Sequence, residues 1–290
     1  MRSLLVFASW LLVTVIPTAV SSAGEKAPAP IAAEWKDNYL IVRGKDLAGG
    51  ELRTNYLEAF CRPGSTDRPW GGTVIPHKTR KISTSKNGRE IHLESVLADG
   101  VVVTHRITVG DDEIDFRLVA KNSTKKDSLA HWAQPCSRVD KFTGADPKNA
   151  RVLYPDYIKK CFLFTEGRLT RLPTRPWATK ARYTPGQVYA PRGVDRDDVN
   201  PRPLSTIVPS SGLTGCFSAD EKQIFATAWE PYQEIFQGVI TCIHSDFRIG
   251  GLKAGEQKKI RGKMYFVPAS AKKLVARYEK DFPEHTAKAK

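Results

Sequence analysis

Most of the short signatures that announce a chemistry are missing from these 290 residues: there is no Gly-x-Ser-x-Gly elbow, no P-loop and no dinucleotide fingerprint. The sequence therefore names no hydrolase or nucleotide enzyme by motif. It also lacks a Cys-x-x-Cys pair and any Cys/His cluster at zinc spacing, so no metal or other cofactor is expected. No self-similarity recurs at solenoid or propeller spacing, which excludes the common repeat architectures. Apart from the first residues, no apolar stretch approaches the roughly 20 residues that span a bilayer. Long runs of one charge are absent too: net charge is +14, yet the basic residues come at most in pairs such as Lys125-Lys126, Lys159-Lys160, Lys258-Lys259 and Lys272-Lys273. Dispersed positive charge of this kind favours an acidic polysaccharide or an anionic cell surface as neighbour over nucleic acid. Its bland alternative is solubility alone.

What is present begins with export. Arg2 precedes an apolar run from Leu4 to Ile16, then Pro17, then small residues at Ser21 and Ala23. This is the layout of a secretory signal peptide cut after Ala23, and it predicts a secreted or periplasmic chain with no transmembrane segment after signal removal. The expected organisation is a signal peptide over 1–23, a flexible lead-in over 24–38, one β-sandwich domain over 39–268, and a C-terminal helix and tail over 269–290. Five cysteines (Cys61, Cys136, Cys161, Cys216, Cys242) allow up to two disulfides with one thiol left over, or simply small buried side chains.

Strand rhythm dominates the text between. Val101, Val103, His105, Ile107 and Val109 share one face of a run; Ile114, Phe116, Leu118 and Ala120 share one face of the next. Asp99-Gly100 and Gly110-Asp111-Asp112 supply the reversals, so residues 89–122 read as an antiparallel meander that delivers His131-Trp132 to the end of a sheet. Further strands are expected at 39–42, 57–61, 215–218, 224–229, 239–247 and 259–267. Residues 142–209 are punctuated by proline and read as long loops around short strands. Ser270 caps a helix whose apolar stripe is Leu274, Val275, Tyr278 and Phe282. The fold class expected is all-β: a large antiparallel β-sandwich with long Pro-rich loops and one C-terminal helix.

The segment Glu113-Ile114-Asp115-Phe116-Arg117-Leu118-Val119-Ala120-Lys121-Asn122-Ser123-Thr124, followed by His131, resembles the galactose mutarotase-like β-supersandwich superfamily of aldose 1-epimerases and polysaccharide lyases. The closing Cys242-Ile243-His244-Ser245-Asp246-Phe247 and Leu252-Lys253-Ala254-Gly255-Glu256 is similar to that family's last hairpin. The resemblance covers about a third of the chain beyond the signal sequence, and it implies a supersandwich with a sugar-facing groove in which a histidine, here His131, acts at the ring oxygen. Its general base is a glutamate, and the matching position here is His244. Glu230 lies before that strand and does not inherit the role.

The candidate site therefore combines His131, Trp132 and Gln134 with His244, Asp246 and Arg248. Alternation places His244 and Asp246 on one strand face, where a carboxylate can orient an imidazole. An indole such as Trp132 suits the apolar face of a pyranose, and the polar groups suit its hydroxyls or carboxylates. His77, Trp70, Trp177 and Arg182 are further substrate-binding candidates in the loops, and Tyr183 or Tyr232 could assist acid–base chemistry. His105, set among valines and an isoleucine, reads as a satisfied core histidine. Asp195, Asp197, Asp198 and Asn200 read as an Asx turn, with a calcium loop as the weaker alternative. The expected function is an exported carbohydrate-binding protein, with a sugar epimerase or polysaccharide lyase using the His131/His244 pair as one alternative and a ligand-free structural envelope protein as another.

Overall fold

The computed structural model describes residues 30–65, 68–145, 157–174, 188–199, 204–237 and 241–286. The expected signal peptide over 1–23, Trp177, Arg182, Tyr183 and Asn200 lie outside them. The strands, in chain order, begin with β1 (Ala32–Lys36), β2 (Tyr39–Arg43), β3 (Glu51–Cys61) and β4 (Val74–Ile75). The meander follows as β5 (His77–Thr84), β6 (Glu90–Leu97), β7 (Val101–Val109) and β8 (Glu113–Asn122), then β9 (Trp132–Arg138). After β10 (Cys161–Thr165) and β11 (Arg168–Arg171) come β12 (Thr214–Phe217), β13 (Gln223–Glu230), β14 (Tyr232–Gln237), β15 (Cys242–Arg248) and β16 (Gln257–Pro268). Two antiparallel sheets result. One runs β1-β2-β3-β9-β15-β14, with β4 on β3, and the other runs β11-β10-β12-β13-β16-β8-β7-β6-β5. The protein is the antiparallel sandwich expected from the alternation.

The meander forms where its pattern places it. Ile107 faces Phe116 and Val103 faces Ala120 across β7 and β8, all four buried, and Gly100 takes φ +90° at the hairpin, a conformation that glycine adopts at no steric cost. His105 is buried on the same face and engages Tyr56 Oη (2.9 Å) and Ser95 Oγ (3.0 Å) through its two ring nitrogens, so it is a satisfied core histidine. Burial pushes its pKa down to about 3.

Between the sheets, Trp229 of β13 lies 5.0 Å from Phe116 of β8 and 4.9 Å from Phe247 of β15, centroid to centroid. The indole reaches across the sandwich because its register partner on β16 is Gly262, where any Cβ would overlap the ring. At the C-terminus the helix Ala271–Asp281 is capped by Ser270, whose Oγ accepts from Lys273 N, and Leu274 and Tyr278 join a buried apolar cluster with residues of β10, β13 and β16.

Strands β1, β5, β9 and β14 are among the elements that depart from the sequence reading, β5 placing His77 at the start of a strand and not in a loop. Residues 32–36 of the expected lead-in form β1, paired along its length with β2, and Trp35 Nε1 donates to Tyr56 O (3.1 Å). Strands β9 and β14 were not legible because polar residues (Gln134, Gln233, Glu234, Gln237) occupy buried positions and erase the alternation. Pro135 also argues against a central strand, yet it is tolerated in β9 because the ladder to β3 is interrupted there: Cys136 pairs Asn55 and Gln134 pairs Ala59, leaving residues 56–58 bulged opposite the proline. All five cysteines are buried and unpaired.

Replacing Gly262 with Ala forces the Trp229 ring to move within a close-packed core, and a loss of about 1–3 kcal/mol is expected in urea unfolding. A second prediction concerns acid. His105 stays neutral in the fold while the unfolded chain takes up a proton below about pH 6.5, so its contribution is intact above that pH and lost as pH falls toward 3. Unfolding free energy at pH 5 should be lower than at pH 6.5 by about 2 kcal/mol, and His105→Gln should flatten that slope; an unchanged slope would assign the acid sensitivity elsewhere.

Candidate functional site

The inward face of the seven-stranded sheet is apolar: Phe60, Ala133, Ile243 and Phe247 join the main core. Because successive side chains alternate, the opposite face of β9 and β15 must carry Trp132, Gln134, Cys136 and Arg138 beside Cys242, His244, Asp246 and Arg248. Register sets the neighbours: His244 pairs Cys136, Cys242 pairs Arg138, and Arg248 pairs Trp132. β14 adds Phe236 opposite His244 and Glu234 opposite Asp246. Two small apolar clusters flank this polar strip. Ala59, Cys61 and Trp132 with Trp70 and Val74 lie at one end, and Val188, Ala190, Val194, Val199, Leu204 and Phe236 at the other.

His244 is the hub. Its ring stacks on Phe236 (centroids 4.2 Å apart, planes at 10°); Nδ1 is 3.1 Å from Gln134 Nε2 and 3.6 Å from Asp246 Oδ1, and Nε2 is 3.4 Å from Cys242 Sγ. Burial opposes charge on the imidazole, but Cys242 and the Asp246 carboxylate outweigh it and raise its pKa to about 9. Cys242 is correspondingly held well below the ordinary thiol range, chiefly by a hydrogen bond from Cys136 and against the cost of burial, while Cys136 is pushed up as the partner that keeps its proton. With Nδ1 protonated, turning the Gln134 amide by 180° presents Oε1 as the acceptor, and Oε1 has no other hydrogen-bond partner.

A second group lies beside the first. Asp198 Oδ2 accepts from Arg248 Nη1 (3.0 Å) and faces His131 Nδ1 at 3.2 Å, while Arg248 Nη1 also donates to Gln233 Oε1 (2.5 Å) and Gln233 Nε2 donates to Asp198 O. Asp198 is 6% exposed in its side chain, whereas His131 and Arg248 keep 21% and 24%. These two are the solvent-facing rim. Their placement depends on Asn122, fully buried at the end of β8, whose Nδ2 donates to Lys126 O (2.8 Å), Leu252 O (3.1 Å) and Lys253 O (3.1 Å) while Oδ1 accepts from Thr124 N and Oγ1. That clamp fixes the turn after β15, from which Ile249 N (2.7 Å) and Gly250 N (2.8 Å) donate to His131 O.

Gln134, His244, Asp246 and Arg248 thus share one sheet face, and Asp198 brings His131 to them. Trp132 lies on that face but is fully buried, its Nε1 donating to Ser65 Oγ (3.2 Å) with Trp70 packed at 6.2 Å, so its indole is a wall of the site rather than an open stacking platform. Trp70 remains half-buried. His77 is not gathered in: it sits on β5 against Phe60 (4.9 Å), on the core side of the sheet. Tyr232 packs edge-on against His285. Asp195 Oδ1 accepts from Asp197 N (2.9 Å), an Asx turn that aims Asp198 inward. Sequence reasoning overlooked Cys136, Gln233 and Glu234, which lie on β9 and β14, two of the strands it did not recognise; the spacing Cys242-x-His244-x-Asp246 was the available signal for Cys242. Asp246→Asn should lower the His244 pKa from about 9 toward the ordinary imidazole value near 6.5, read from the ring-proton NMR titration; an unmoved titration would exclude the carboxylate as the orienting partner.

Neither a protein-family description nor a curated protein matches the chain. Among solved structures it is similar to a galactose mutarotase-like protein from Clostridium acetobutylicum (11% identity, 83% of this chain, 99% of that chain, TM-score 0.40). A galactose mutarotase-like protein from Lactobacillus casei is similar at 8% identity, over 81% of this chain and 99% of that one, with a TM-score of 0.39. A polysaccharide lyase shows 8% identity over 83% of this chain and 33% of its own, with a TM-score of 0.37.

Proposed function

We propose that this chain is an exported carbohydrate-binding protein whose ligand is an acidic glycan held on the outward face of the seven-stranded sheet. The observation that carries the reading is a solvent-facing rim of an imidazole and a guanidinium, His131 and Arg248, held on a buried polar layer of Gln134, His244 and Asp246. Polar groups of mixed donor and acceptor type, fixed by partners on neighbouring strands, are the means by which a rigid scaffold reads hydroxyls. Positive charge favours an acidic ligand: Arg53 pairs Arg138 across β3 and β9, so both stand on the same face as Arg248. Arg248 is the natural carboxylate contact, since a guanidinium engages that group in two parallel hydrogen bonds. The sequence resemblance to sugar-active supersandwich proteins points the same way, and the signal-peptide pattern supports export.

Binding ranks before catalysis because His244, the position matching the family's base, is 3% exposed, while proton transfer needs a base within hydrogen-bond reach of substrate. The decisive experiment is a proton NMR panel of neutral, uronate and sulfated glycans incubated with the purified protein. Broadened uronate or sulfate resonances without turnover are expected, with Arg248→Ala weakening the affinity by about tenfold or more, as loss of a charge-assisted pair implies. New anomeric or unsaturated-sugar signals would replace the binding reading with an epimerase or lyase. Unchanged spectra across the panel would leave a structural envelope protein.

A further inference from the structure

Of the groups gathered on the sheet face, three are not needed to read a sugar: Cys136, Cys242 and the Nε2 side of His244. Their ligand atoms lie within 4.8 Å of one another and all three residues are buried. We propose that Cys136, Cys242 and His244 form a binding site for a soft divalent cation of the zinc class.

The geometry is already close to that of the bound state. A tetrahedral zinc with bonds of about 2.3 Å to sulfur and about 2.0 Å to imidazole nitrogen sets its sulfur and nitrogen ligands about 3.6 Å apart; Cys242 Sγ and His244 Nε2 stand at 3.4 Å. The donors come from adjacent strands in fixed register, with Cys242 and His244 on the same face of β15 and Cys136 directly opposite His244 on β9. Nδ1 points the other way, toward Asp246 and Gln134, which is the outer arrangement that holds a ligating imidazole in the Nε2-coordinating tautomer. Phe236 stacked on the ring fixes its plane. Thiolate and imidazole donors together select zinc-like ions over magnesium or calcium.

Charge argues in the same direction. Binding displaces one proton from Cys136 and one from His244 Nε2, so two thiolates and a neutral imidazole face one divalent cation and the cluster carries no net charge. Among the described residues no fourth His, Cys, Asp or Glu joins the three, which leaves one coordination position for water or a ligand oxygen. The cysteines are 106 residues apart in sequence, from position 136 to 242, and no local spacing rule detects them.

Cobalt replacement tests this in the unmodified protein, with no glycan present, so the outcome is independent of sugar binding. After chelator treatment, adding Co2+ should give sulfur-to-cobalt charge-transfer absorption and tetrahedral d–d bands that saturate at one ion per chain, and Zn2+ should bleach them. Cys242→Ser and His244→Gln should each reduce retained zinc tenfold or more, whereas Cys216→Ser, buried away from the cluster, should retain one ion per chain. Folded protein that gives no charge-transfer band and retains no zinc overturns the proposal, as does a Cys136–Cys242 disulfide mapped by mass spectrometry in the folded chain. Because the cobalt spectrum is read on the native sequence, misfolding of a variant cannot rescue or sink the result.

Discussion

The contact on which the rest depends is Phe247 against Trp229. It joins the two sheets at the centre of the sandwich and fixes the pleat of β15: with Phe247 and Ile243 inward, Cys242, His244, Asp246 and Arg248 have no choice but to face outward. A slip of one residue would exchange the two sets, burying a histidine and a carboxylate in the apolar core and exposing two large apolar side chains. The cost of that exchange is several kcal/mol on burial terms alone. Gly262 makes the contact possible by leaving room for the indole, so the polar face of one sheet rests on a missing side chain in the other.

The outward face is unusual in being polar and yet shielded. Flanking apolar clusters around Trp132 and Phe236 exclude water from its ends, and in that setting each hydrogen bond and ion pair is stronger than at an open surface while each unmet group is more costly. The arrangement responds by sharing partners: Asp198 serves both His131 and Arg248, and His244 serves Gln134, Asp246 and Cys242. Asn122 extends the same economy to the backbone, tying three loop carbonyls to the end of β8 so that the rim histidine and the turn after β15 move as one unit. Fixed polar groups of this kind suit recognition, because little reorganisation is left to oppose binding.

Legibility in the sequence followed the physics of alternation. β7, β8, β13 and β16 were readable because one face is mostly apolar, and Ser270 announced the terminal helix by its cap. β9 and β14 were not, since Gln134, Glu234 and Gln237 are buried and Pro135 speaks against a central strand until the bulge opposite it in β3 is known. His244 and Asp246 were visible as a pair on one strand. Asp198 and Cys136 were not visible as their neighbours, because that proximity is created by pairing between segments far apart in the chain. Trp132 shows the limit of residue type as a guide: an indole beside a histidine suits sugar stacking, and the fold uses it instead as a buried wall.

Residue-resolved chemical-shift mapping of the protein titrated with a uronate oligosaccharide tests the central claim most directly. Shifts concentrated at His131, Gln134, His244 and the Arg248 guanidinium, with the nine-stranded sheet silent, are the result this account predicts. Perturbations confined to the basic edge strand of that other sheet, at Lys78, Arg80 and Lys81, would contradict it and would make the positive charge a general surface property rather than part of a site.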